Sequence, residues 1–136
     1  MLKKTIKYTD YEGNEREEDF YFNLTESELM VMELSEEGGL KKMMEKIVRE
    51  KNRPKLIKIF QDMIKLSYGE KSPDGRRFVK SEEISQAFTQ TPAYDKLFME
   101  LATNEDSAIS FIRGIVPPEM SENVNKPALA DAGTVE

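Results

Sequence analysis

The stretch PKLIKIFQDMIKLSYG, from Pro54 to Gly69, decides the fold. Proline is well tolerated in the first turn of a helix, where its missing N–H has no intrahelical partner anyway. Gly69 follows the last apolar residue, at the place where a left-handed C-cap is common. Between them, Leu56, Phe60, Met63 and Ile64 recur at the spacing of one helical face, and Ile57, Ile59 and Leu66 widen it. An apolar surface this broad predicts a central helix covered on more than one side by the flanking segments.

Length and composition bound what those segments can do. The chain has 136 residues, enough for one domain with a modest core. Its formal net charge is -6, which disfavours nucleic acid as the main ligand. Cysteine and histidine are both absent. Disulfide frameworks, thiol catalysis, the usual zinc sites and histidine acid–base chemistry are thereby excluded. The N-terminus is too poor in apolar residues for a signal peptide, and no segment approaches a membrane span. A soluble protein of a cell interior, with no cofactor, is the expectation.

Working outward toward the N-terminus, residues 2 to 9 alternate, with Leu2, Lys4, Ile6 and Tyr8 on one side of an extended strand. Asp10 to Glu15 contains the Asp, Gly and Asn residues that accept turn conformations. From Arg16 to Asn23 alternation resumes, with Glu18, Phe20, Phe22 and Leu24 in phase. The pattern predicts a β-hairpin with an aromatic face. The turn lacks the carboxylate spacing of a calcium loop. Thr25 and Glu28 form a Thr-x-x-Glu capping box, opening a helix that carries Leu29, Met30, Met32 and Leu34 and stops at Gly38-Gly39. A second helix places Leu40, Met43, Met44, Ile47 and Val48 on one stripe, and Asn52-Arg53-Pro54 breaks it.

Beyond Gly69, Ser72-Pro73-Asp74-Gly75 is a turn signal, and Arg76 to Lys80 offers a short extended piece. Ser81 caps a short helix containing Ile84, Ala87 and Phe88. Thr91-Pro92 opens another, with Tyr94, Leu97, Phe98, Leu101 and Ala102 on its stripe. Asn104 caps the last, whose stripe is Ala108, Phe111, Ile112, Ile115 and Val116. Pro117-Pro118 ends it. The remainder lacks periodicity and aromatics and reads as a disordered tail. The predicted fold is therefore α+β and mostly α. An N-terminal β-hairpin packs on a bundle of five to six helices across residues 1–116, and residues 117–136 form a flexible C-terminal tail.

No catalytic pattern emerges. Acidic neighbours such as Glu36-Glu37 and Glu82-Glu83 diverge on a helix, no phosphate loop is present, and a serine nucleophile would lack a histidine base. A non-enzymatic protein is expected. Charge is segregated instead. From Asp10 to Glu37 there are eleven acidic residues against Arg16 alone; from Lys41 to Lys58 there are eight basic residues against Glu45 and Glu50. Such a dipole suits head-to-tail self-association or docking of a charged partner. The plainer alternative is that the two runs are solvated faces attracting each other within one monomer. Met30, Met32, Met43 and Met44 flank the Gly-Gly turn, and thioether side chains suit surfaces that adapt to partner helices, or fill gaps in a core.

The run YTDYEGNEREEDFYFNLTESEL, Tyr8 to Leu29, resembles the opening of tail assembly chaperones of long-tailed, siphovirus-type bacteriophages. Phe111-Ile112-Arg113-Gly114-Ile115-Val116-Pro117 is similar to that family's last helix. The resemblance implies a protein that binds the tape measure protein and helps recruit the major tail (tube) protein. It further implies action in the cytoplasm of the infected host and absence from the mature virion. The alternative is a structural or adaptor subunit retained in a virion or cellular complex. No fixed functional residues carry over from the family. The candidate partner-binding residues therefore come from charge and methionine alone: Met30, Met32, Lys42, Met43, Met44, Lys46 and Arg49.

Overall fold

In a computed structural model of the chain, the N-terminal alternation becomes a hairpin because its turn is chemically specified. The structure describes residues 1–31, 39–49 and 53–118, excluding the side chains at 40, 41, 43, 44 and 53. Strand β1 (Leu2–Thr9) runs antiparallel to β2 (Glu15–Phe22), with Leu2 opposite Phe22 and Thr9 opposite Glu15. At the tip, Asp10 Oδ1 accepts from the backbone N–H groups of Glu12 and Asn14, each at 2.9 Å. Gly13 adopts φ +88°, the left-handed region that favours glycine. Ile6, Phe22 and Leu24 face the core, with Leu2, Tyr8 and Phe20 packed against it.

The chain leaving β2 is fixed by the ends of two helices. Asn23 N–H donates to Ser67 O at 2.8 Å, and Leu24 N–H donates to Ile115 O at 2.7 Å. Both acceptors are C-terminal helix carbonyls that would otherwise lack partners. The capping box then forms as read: Glu28 N–H donates to Thr25 Oγ1 at 3.1 Å, and Thr25 N–H donates to Glu28 Oε1 at 2.9 Å. Helix α1 (Glu26–Val31) buries Leu29. Helix α2 (Gly39–Arg49) buries Ile47 and packs against the last helix. Gly39 is thus the first residue of α2, while Gly38 lies outside the described residues.

The Pro54–Gly69 stretch forms α3 (Arg53–Ser67), and Leu56, Phe60, Met63 and Ile64 are buried. Two readings of this stretch are corrected. Ile57 and Leu66 are exposed, because they lie on opposite flanks of the buried face and the neighbouring helices do not wrap that far. Gly69 is not a left-handed C-cap. It sits buried in strand β3 (Tyr68–Lys71), which the sequence did not reveal, opposite Tyr21 of β2. Strand β4 (Phe78–Val79) folds back on β3 through a turn at Gly75, φ +74°. A Cβ on residue 69 would lie 2.7 Å from Phe78 Cε2 and 2.8 Å from Val79 O, so only glycine admits this close approach.

Among the described residues the sheet has four antiparallel strands in the order β1-β2-β3-β4, with α1 to α3 between β2 and β3, and is larger than the lone hairpin expected. Three further helices cover one face: α4 (Glu82–Thr89), α5 (Pro92–Thr103) and α6 (Glu105–Ile115). Their caps are those read from sequence. Ser81, Thr91 and Asn104 accept from the N–H groups of Ile84, Tyr94 and Ser107, and Pro92 lies in the first turn of α5. Aromatic rings join sheet to helices. Tyr68 stacks on Phe88 at 4.1 Å, and Phe22 meets Phe88 and Phe111 edge-on. The architecture is α+β and mostly helical.

Candidate partner-binding site

The candidate residues lie on α1 and α2. The capping box sets the direction of α1, and Leu29 anchors it, so the end of the helix projects Met30 and Val31 into solvent, 68% and 84% exposed. On α2, buried Ile47 turns the opposite face outward. Lys42, Lys46 and Arg49 follow the i, i+4, i+7 spacing of a single stripe, and all three are exposed. Val48, placed on the buried stripe by its period, is 51% exposed. Met32 lies outside the described residues, as do the side chains of Met43 and Met44. The structure thus brings Lys42, Lys46 and Arg49 together and leaves Met30 exposed on a separate element.

The electrostatics follow from which charges are already partnered. In the acidic hairpin, Arg16 Nε donates to Asp10 Oδ2 at 2.6 Å and Arg16 Nη1 lies 3.7 Å from Glu18. The Arg16 guanidinium, helped by the Asn14 and Glu12 N–H groups, holds the Asp10 carboxyl below the usual aspartate value. Asp10 is therefore a turn anchor rather than a free ligand. Tyr8 donates to Glu18, and that hydrogen bond, with burial and the Glu18 charge, pushes the phenol up. In the basic segment, Lys58 pairs with Asp62 one turn along α3 at 2.9 Å. Among the described residues, no ion pair joins the two runs, and none involves Lys42, Lys46 or Arg49.

Nothing in this arrangement resembles a reaction centre. Among the described residues, no group of three or more acidic side chains could hold a metal ion. No helix among them is long and apolar enough to cross a membrane. What the surface offers is contact: exposed apolar side chains and a stripe of cations with no ion pair among the described residues.

A family model described as phage tail assembly chaperone matches residues 1–135. The chain belongs to that family. No curated protein and no solved structure matches it. Membership of a chaperone family points to a non-enzymatic role and to phage tail proteins as partners. Such a phage chaperone would act in the host cytoplasm. Two exposed residues of this chaperone were missed in the sequence, Val31 and Val48. Periodicity identifies an apolar stripe, but it does not show where packing stops.

Proposed function

We propose that this chaperone binds the tape measure protein of its phage during tail assembly, helps recruit the major tail protein, and is absent from the finished virion. The observation that carries the reading is the stripe of Lys42, Lys46 and Arg49, exposed and without described ion pairs. Exposed Met30 and Val31 on α1 and Val48 on α2 supply apolar contact. A long helical protein awaiting its tube exposes apolar stripes that aggregate unless covered. An adaptable apolar surface with cations nearby suits it: apolar contact holds a helix, and charge guides encounter.

The test is co-purification with the tape measure protein over a salt series. Reversing Lys42, Lys46 and Arg49 to Glu weakens capture, and the difference from wild type shrinks as salt rises. Undiminished capture at low salt would remove the basic stripe from the interface. Mass spectrometry of purified particles addresses the fate of the protein. A stoichiometric copy in the virion would favour the alternative of a retained adaptor subunit.

A further inference from the structure

Among the described residues β1 is the outermost strand of the sheet, so one of its edges has no described strand beside it. The hairpin turn fixes which residues face that edge. Asp10 N–H donates to Asn14 O at 2.8 Å, which makes these two the first hydrogen-bonded pair. Bonded and non-bonded pairs alternate along an antiparallel ladder. Tyr8–Arg16, Ile6–Glu18, Lys4–Phe20 and Leu2–Phe22 are therefore the bonded pairs. The backbone N–H and C=O groups of Lys3, Thr5, Lys7 and Thr9 point the other way. Among the described residues they have no partner there. Such a row is a template for an added strand.

The surroundings specify what that strand would carry. Beside the start of β1, near the corner between α5 and α6, lies a concavity of about 230 Å³. Leu2 and Phe111 give it an apolar lining, and Glu100 and Asp106 give it carboxylates. Lys4 is already held by Glu100 at 3.1 Å. A side chain entering this space is best uncharged and apolar. On the other face of the strand, Lys3 has no described ion pair, and Lys7 reaches Glu17 only at 4.0 Å, with both side chains largely exposed. A side chain there is best acidic. β2 already follows this rule within the molecule, setting Glu17 and Asp19 opposite Lys7 and Thr5. A second copy of β1 fits poorly, since antiparallel pairing centred on Thr5 puts Lys3 against Lys7.

We propose that the free edge of β1 takes up an extended segment of a partner protein in which acidic residues alternate with apolar ones. The surface lies on a different element from the basic stripe of α2, and its assignment does not depend on the tape measure reading.

The test titrates the isotope-labelled full chain with a short peptide alternating glutamate and valine, using a lysine–valine peptide as control, and follows amide exchange. The amides of Lys3, Thr5 and Lys7 exchange fast in the free chain and slow by about tenfold or more with the glutamate peptide alone. Lys3→Glu with Lys7→Glu abolishes the effect. So does Thr5→Pro, which removes an outward N–H and spares the backbone bonds of the β1–β2 ladder, losing between these strands the Thr5 Oγ1–Asp19 bond. Each variant is read only with its thermal transition intact, so either can decide. Protection of these amides in the free chain, an equal response to both peptides, or a response that survives the substitutions would overturn the proposal.

Discussion

Lys80 Nζ lies 2.5 Å from Glu28 Oε2 and ties the β2–α1 junction and the end of α3, distant from it and from each other in sequence, to one point. The same ammonium donates to Asn23 O at 2.8 Å and to Leu66 O at 3.1 Å. It thereby holds the start of α1, the end of β2 and the C-terminus of α3 at one point. A lysine at a helix C-terminus also meets the negative end of the dipole. Nothing in the sequence around Lys80 announces this role.

Burial, the largest single influence on Glu28, pushes its pKa up. Hydrogen bonds from Lys80 and Thr25, with the Lys80 charge, outweigh burial and hold the carboxyl below its ordinary value of 4.5. A depressed folded-state pKa contributes stability that is present above the unfolded value and lost as pH falls through the folded one. Glu28→Gln therefore lowers the melting temperature near neutral pH, and the gap from wild type narrows in acid. Thermal melts across a pH series check this; a gap independent of pH would contradict it.

Gly69→Ala tests the strand missed in the sequence. The added methyl meets Val79 O at 2.8 Å, a backbone atom that cannot move without disturbing the β3–β4 pairing. Overpacking of this kind costs about 1–3 kcal/mol. Chemical denaturation measures it, and an unchanged midpoint would contradict the close approach of β4.

Phe60→Ala tests the centre of the helical layer. Phe60 is 4% exposed on α3 and belongs to the same cluster as Leu97 and Ile112. Removing a buried aromatic ring costs about 3–5 kcal/mol. A denaturation midpoint equal to wild type would put the core elsewhere.

A chain ending at Glu119 is expected to keep its thermal transition. Among the described residues the buried cluster runs no further than Val116, and the sequence from 120 to 136 holds few large apolar side chains. Loss of the cooperative melt would show that the removed residues are needed for folding.

Features of the fold that depend on local chemistry were readable in advance. Thr25 with Glu28, Ser81, Thr91 with Pro92, and Asn104 are caps whose partners lie three residues away, so sequence contains both halves of each interaction. The hairpin was readable for the same reason, since Asp10 and Gly13 act within the turn itself. Strand β3 was not. It has four residues, pairs only Tyr68 and Phe22, and Gly69 and Tyr21, with β2, and follows α3 without a break. Gly69 signals an unusual backbone environment in either reading, but its crowding comes from Phe78 and Val79, which only the folded chain brings near. The candidate site was less legible still. Charge order along the chain singled out Lys42, Lys46 and Arg49, yet no local pattern could show that all three are exposed on one stripe or that Val48 is exposed.

On the function proposed above, this chain would keep a tape measure protein soluble until the tail tube encloses it. The most direct measurement is the soluble fraction of the tape measure protein expressed in bacteria alone, with the wild-type chain, and with the variant carrying Glu at Lys42, Lys46 and Arg49. A large gain is expected with wild type, and a reduced gain with the variant once circular dichroism shows it folded. A soluble fraction that wild type leaves unchanged would contradict it.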